Sequence, residues 1–226
     1  QADATDLFAE SGFSASNYLS RATDTDFDFA TGDFSVMFWC NFSSYSGTQR
    51  IIGRGDSSSS HLWQVFVDTA HLYLWTADGS STVYARSDIP TAGKWAQVVV
   101  TRRSNVLKVH INGVDATAAT SGSGAIDVTC TSASPLLIGA VSFDQGTTIS
   151  DPALNASLSL VRISKTAPTP QQIKDIYEAE APLFRAGAKC LLSQVTHTAV
   201  NDLAYDNSSD LLYVGTTSAD AGDSVS

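Results

Sequence analysis

Glutamate is almost missing from this chain: of 23 acidic residues, only Glu10, Glu178 and Glu180 are glutamate, and the rest are aspartate. Lysine is scarce too, while Ser, Thr, Gly and Asp are plentiful, which disfavours helices and suits strands joined by turns. No apolar run approaches the roughly 18 residues that a membrane-spanning helix needs, so no membrane contact is expected. Basic clusters are absent as well. With a net charge of −10 and no row of Lys or Arg to neutralise successive phosphates, a nucleic-acid groove is excluded. The nearest approach, Arg102-Arg103, reads as a solvated strand end. Cysteine is limited to Cys40, Cys130 and Cys190, far apart and without metal-ligand spacing. Buried thiols are the expected state, with one disulfide among the three left open. No signal peptide is visible, and the chain runs from Gln1 to Ser226, which points to a processed piece or a fragment of something longer.

What is present is a series of short apolar segments separated by Gly, Asn, Asp and Ser. That spacing predicts strands near residues 18–21, 34–42, 49–53, 61–68, 71–76, 82–87, 94–102, 106–112, 135–140 and 157–164. Asn112-Gly113 can take the positive φ angles of a hairpin turn at little steric cost. Residues 116–134 read as a loop or weak edge strand anchored by Ile126 and Val128. From Thr169 the period changes. Pro170 suits a first helical turn, Ile173, Ile176, Tyr177 and Glu180 follow at helical spacing, and Pro182 is expected to stop the helix just past Ala181.

Several of these segments carry a resemblance. Lys94-Trp95-Ala96-Gln97-Val98-Val99-Val100-Thr101 with Leu107 to Val114, Phe34-Ser35-Val36-Met37-Phe38-Trp39-Cys40, Ile51-Ile52-Gly53-Arg54-Gly55, Pro135-Leu136-Leu137-Ile138-Gly139 and Leu158 to Lys165 occur in family order. Together they resemble the laminin-G-like, concanavalin-A-like lectin domains. The resemblance covers residues 1–184 and implies an all-β fold, an antiparallel β-sandwich of the concanavalin-A-like jelly-roll type, with one short C-terminal helix. It also implies core roles for Trp39 and Trp95 and a glycine turn at Gly53-Arg54-Gly55, so that the integrin-like Arg54-Gly55-Asp56 is set aside. Residues 185–226 form a second segment, in which two apolar strands flank Asp206-Asn207-Ser208-Ser209-Asp210 as a terminal β-hairpin, the start of a propeller-like or an oligomerisation region being left open. This order of sandwich, helix and hairpin resembles bacteriophage tail-fibre and virion surface proteins, which implies a virion-surface or extracellular location.

Glycosidases on related sandwiches set closely spaced carboxylates along one strand. No such strand exists here, Glu178 and Glu180 are expected to be solvated at the helix end, and no serine sits in a nucleophile elbow, so no enzyme is expected. Relatives often bind calcium, and Asp24-Thr25-Asp26-Phe27-Asp28 offers oxygen ligands, but Ala156, Leu158 and Ser159 stand where the family places its key ligand text. Calcium through Asp24, Asp26 and Asp28 is left open, and no cofactor is expected. Strand alternation then selects a binding face. If Val65, Val67, Leu72 and Leu74 point into the core, Gln64, Tyr73, Trp75, Tyr84 and Arg86 line the exposed sheet as a platform for sugar rings. The expected function is non-catalytic recognition of a host cell-surface glycan by a phage virion surface protein or tail fibre. The rival is a structural decoration or assembly protein contacting other virion subunits. A homo-oligomer is expected, with a trimer favoured by analogy with fibres.

Overall fold

A computed structural model describes residues 8–55, 61–122, 126–130, 133–153 and 155–184 with their side chains, and residues 197–206 and 211–218 by their backbone. The chain divides into two compact units, residues 1–185 and 186–226. The first holds β1 (Leu19–Arg21), β2 (Phe34–Phe42), β3 (Gln49–Gly55), β4 (His61–Val67), β5 (His71–Asp78), β6 (Thr82–Asp88), β7 (Ala96–Arg103) and β8 (Val106–Ile111). It continues with β9 (Val114–Asp115), β10 (Ala119–Ser121), β11 (Leu136–Ile138), β12 (Ala156–Ser164) and helix α1 (Pro170–Phe184). A seven-stranded sheet of order β1-β11-β3-β4-β5-β6-β10 faces a five-stranded sheet of order β12-β2-β7-β8-β9. The second unit is an antiparallel hairpin of β13 (His197–Asp206) and β14 (Leu211–Ser218), pairing Tyr205 with Leu212 and Leu203 with Val214. The 207–210 turn and Cys190 lie outside the described residues.

Period-two alternation builds the core. Trp63, Val65 and Val67 of β4, Leu72 and Leu74 of β5, and Phe34, Val36 and Phe38 of β2 are all buried between the sheets. Ile126 and Val128 anchor their loop in the same cluster. Asn112 and Gly113 do take positive φ, 52° and 78°, but they join β8 to β9. The turn between β7 and β8 is made by Ser104 and Asn105, with φ of 47° and 68°.

Four expectations are corrected. Gly53-Arg54-Gly55 is not a turn but the end of β3. A Cβ on Gly53 would come within 2.8 Å of the Gln64 Cβ, so glycine here permits close approach of two strands. Arg54 then points inward at 1% exposure, paired with the Asp28 carboxylate at 2.5 Å and donating to the Asp24 and Ser134 carbonyls. Arg102 is not a solvated strand end either. It is fully buried and donates to the backbone carbonyls of Gly32, Ile126, Phe29 and Ala30, because the loops before β2 and around Ile126 close over it.

The helix does not stop at Pro182. Pro182 forfeits the bond that an N–H there would give the Glu178 carbonyl, but continuing to Phe184 stacks that ring on Trp39 at 4.0 Å and against Trp95 at 5.0 Å. Trp39 therefore packs under α1, outside the inter-sheet core, and Trp95 is half-buried beside it. Finally, Glu180 is not solvated. It accepts from Trp39 Nε1 at 2.8 Å and from Arg162 Nη2 at 2.6 Å, whereas Glu178 stays 61% exposed. Ile173 completes the contact by sinking between Met37 and Val99.

Cys40 is buried at 1% exposure, and burial pushes its thiol up to about 12. At pH 8 its thiolate fraction is then about one in ten thousand. Iodoacetamide applied to the folded chain is expected to leave Cys40 unmodified, and to label it fully in urea, as read by peptide mass mapping. Native labelling would show that the β2–β7 contact opens.

Candidate functional site

The outer face of the seven-stranded sheet carries two cross-strand rows. Gly53, Gln64, Trp75 and Tyr84 stand opposite one another in the first, and Arg50, Phe66, Tyr73 and Arg86 in the second. Cross-strand neighbours lie close enough for their side chains to touch, which turns the rows into one aromatic surface. Phe66 and Tyr73 stack at 4.7 Å with planes 10° apart, and Trp75 and Tyr84 at 5.2 Å with planes 7° apart. Tyr73 meets Tyr84 edge-on at 5.8 Å, linking the two stacks. Arg86 Nη1 lies 3.4 Å from the Tyr73 hydroxyl.

Tyr73, Trp75, Tyr84 and Arg86 are half-buried on this face, opposite the inward Leu72, Leu74, Val83 and Ala85. Gln64 departs from the expected exposure. It is only 5% exposed, because Arg50 Nη1 donates to its Oε1 at 2.6 Å and lies across it. Arg50 is also bonded through Nε to Asp151 at 3.2 Å, and its guanidinium carbon lies 4.8 Å from the Phe66 ring and 5.2 Å from that of Phe143.

A groove of about 380 Å³ lies on this face over β3, β4 and β5, lined by Arg50, Leu62, Gln64, Phe66, Trp75 and Phe143. Among the described residues, no carboxylate belongs to its lining. Phe143 is presented by a tight loop in which Ser142 Oγ accepts from Gly146 N–H at 2.8 Å and Asp144 accepts from Thr148 N–H at 2.7 Å. The hydrogen bonds from Thr148 hold the Asp144 carboxyl below its usual range. At the other end of the face, Asp68 accepts the backbone N–H groups of Ala70 and His71, both at 2.7 Å, and fixes the β4–β5 turn. Burial pushes its carboxyl up, but those bonds and the Tyr73 hydroxyl outweigh it and the net shift is down.

Arg50, Phe66 and Phe143 are functional candidates that strand reasoning passed over. Phe66 shares the parity of Gln64 and was within reach. Arg50 was hidden by a register shift between Arg50 and Ile52, which lets Arg50 and Gly53 face the same way. Phe143 sits on a loop that only the fold brings to this groove.

The Asp24, Asp26 and Asp28 carboxylates serve separate partners. Asp24 caps the 3₁₀ turn at Asp26 N–H and pairs with Arg21 at 3.4 Å, Asp28 pairs with Arg54 and accepts from Cys130 N–H, and Asp26 faces Lys165 at 3.3 Å. Among the described residues, no group of three or more His, Cys, Asp or Glu is placed to hold a metal.

Residues 13–174 match the concanavalin A-like lectin/glucanases superfamily, in its laminin G branch, and the chain belongs to that family. Among solved structures it is similar to the IT-sialidase CBM40 of Ruminococcus gnavus, solved bound to α2,3-sialyllactose. The two are 12% identical, with a TM-score of 0.56 over 76% of this chain and 100% of that one. It is also similar to a heptameric SAP-like pentraxin of Limulus polyphemus, at 15% identity and TM-score 0.58 over 97% of this chain and 99% of that one. The binding domain of botulinum neurotoxin serotype G matches at 11% identity and TM-score 0.54, over 80% of this chain and 48% of that one. These likenesses are of fold. No match was found among curated proteins.

Proposed function

We propose that this chain is a non-catalytic carbohydrate-recognition module that reads a host cell-surface glycan, as part of a bacteriophage virion surface protein or tail fibre. The observation that carries this is the pair of stacks, Phe66–Tyr73 and Trp75–Tyr84, on the solvent side of one sheet. Flat half-exposed rings take the apolar CH faces of sugars, while Gln64, Arg50 and Arg86 lie within reach of hydroxyl groups. Among the described residues the groove lining offers no acid and base across a glycosidic bond, which favours binding without cleavage. The CBM40 solved with α2,3-sialyllactose supports this use of the fold. Assembly as a homo-oligomer, with a trimer favoured, belongs to the same proposal, and light scattering reads it directly.

Trp75→Ala and Tyr84→Ala are expected to weaken adhesion to host cells and to glycans on an array by about thirtyfold or more, while the unfolding midpoint shifts little. If both variants bind as tightly as the parent, the platform is elsewhere. A blank array and blank cell binding from a stable oligomer would favour the rival, in which the same aromatic face packs against neighbouring virion subunits.

A further inference from the structure

We infer that the groove beside Arg50 selects an acidic sugar, seating a carboxylate, sulfate or phosphate substituent of the glycan on the Arg50 guanidinium. The inference rests on carbohydrate recognition by this face and adds the class of sugar. The Arg50 guanidinium carbon lies 4.8 Å from the Phe66 ring and 5.2 Å from the Phe143 ring, with Nη1 committed to Gln64 and Nε to Asp151. Those bonds use two of the five N–H donors of a guanidinium. Nη2 has no hydrogen-bond partner among the described residues, and the side chain is 16% exposed in a groove that it lines.

A planar cation fixed in this way meets an anion in a defined orientation and loses little rotamer freedom on binding. Burial lowers the Arg50 pKa, which marks a poorly hydrated guanidinium that gains from an anionic partner. The Gln64 amide nitrogen, also without a partner among the described residues, lines the same groove, and the Trp75 ring forms another wall for the sugar itself. A neutral sugar meets the rings, the amide and an Arg50 N–H through its hydroxyls, but has no charge to set against the cation. Placing a cation in the groove of a chain whose net charge is −10 is the feature that a neutral ligand leaves unused. Asp151, 47% exposed, is paired with Arg50 and competes with the incoming anion.

The test is a glycan array carrying matched neutral, carboxylated, sulfated and phosphorylated versions of each sugar, probed with the whole chain, followed by calorimetric titration of the best pair at low and high salt. The acidic member is expected to bind at least tenfold tighter than its neutral parent, with the gap shrinking as ionic strength rises. Arg50→Gln is expected to erase the gap and Arg50→Lys to keep part of it. Asp151→Asn, which disturbs no apolar packing, is expected to widen the gap severalfold and keeps the inference testable if the Arg50 variants fold poorly. The arm that binds identifies the substituent. Neutral and acidic sugars bound equally, with Asp151→Asn and salt without effect, would overturn acid selection and leave carbohydrate recognition standing. No binding to any sugar would instead remove the recognition function itself, and the inference with it.

Discussion

Replacing Arg102 with methionine is expected to lower the unfolding free energy by about 3–5 kcal/mol, although the stem of the side chain is kept. The guanidinium is fully buried and donates at 2.7 Å to Gly32, at 2.8 Å to Ile126, and at 3.2 and 2.6 Å to Phe29 and Ala30. All four acceptors are backbone carbonyls in loops. The Phe29 and Ala30 carbonyls keep the backbone N–H bonds of Gly32 and Val128, at 2.8 and 3.2 Å, but the Gly32 and Ile126 carbonyls lose their arginine donor. Burial lowers the Arg102 pKa to about 10, still far enough above neutrality for the group to remain a cation, and the Phe34 ring at 5.0 Å supplies its π face. The loss stays below the sum of the separate bonds because water can reach part of the vacated site. Arg102→Lys keeps the charge with fewer donors in the wrong geometry, and about half the loss is expected. Urea unfolding followed by tryptophan fluorescence measures both. A methionine variant within about 0.5 kcal/mol of the parent would show that the loops hold their own shape without the arginine.

Trp39→Ala is expected to cost a similar amount, about 3–5 kcal/mol, and to loosen α1 selectively. The indole is 2% exposed, stacks on Phe184 at 4.0 Å and Tyr177 at 5.9 Å, and donates Nε1–H to Glu180 at 2.8 Å. One side chain thus joins the five-stranded sheet to the middle and the end of the helix. Its removal leaves Glu180 with Arg162 alone. Trp39→Phe retains most of the stacking and loses only the N–H bond, so about 1–2 kcal/mol is expected. Hydrogen exchange over residues 170–184 separates this local effect from global weakening. Faster exchange in the helix than in β4–β6 is the expected pattern, and uniform acceleration would mean that α1 is not a separable unit.

Much of the exposed aromatic face was legible in advance. In β5 and β6 the alternation of Leu72, Tyr73, Leu74, Trp75 and of Val83, Tyr84, Ala85, Arg86 assigns each residue to a face with no knowledge of its neighbours, because the period of a strand is a property of its own backbone. The same rule fails in β3. Counting by twos back from Ile52 places Arg50 inside, and only the register shift against β4 turns it outward to cover Gln64. Glu180 and Arg102 escaped for a different reason. A carboxylate in a helix and an arginine at a strand end are ordinarily solvated, and their burial depends on partners remote in sequence.

The strands, their inward faces and the two primed turns at Ser104-Asn105 and Asn112-Gly113 follow from local chemistry: side-chain alternation, turn residues that tolerate positive φ, and a composition poor in helix formers. The seating of Arg54 and Arg102, the capture of Glu180 by Trp39, and the closing of a groove by Arg50, Gln64 and Phe143 were decided by the tertiary structure. The physical reason is that a buried polar group is stabilised by whichever acceptors the fold brings to it. Backbone carbonyls and carboxylates distant along the chain leave no local mark on the residue that finds them.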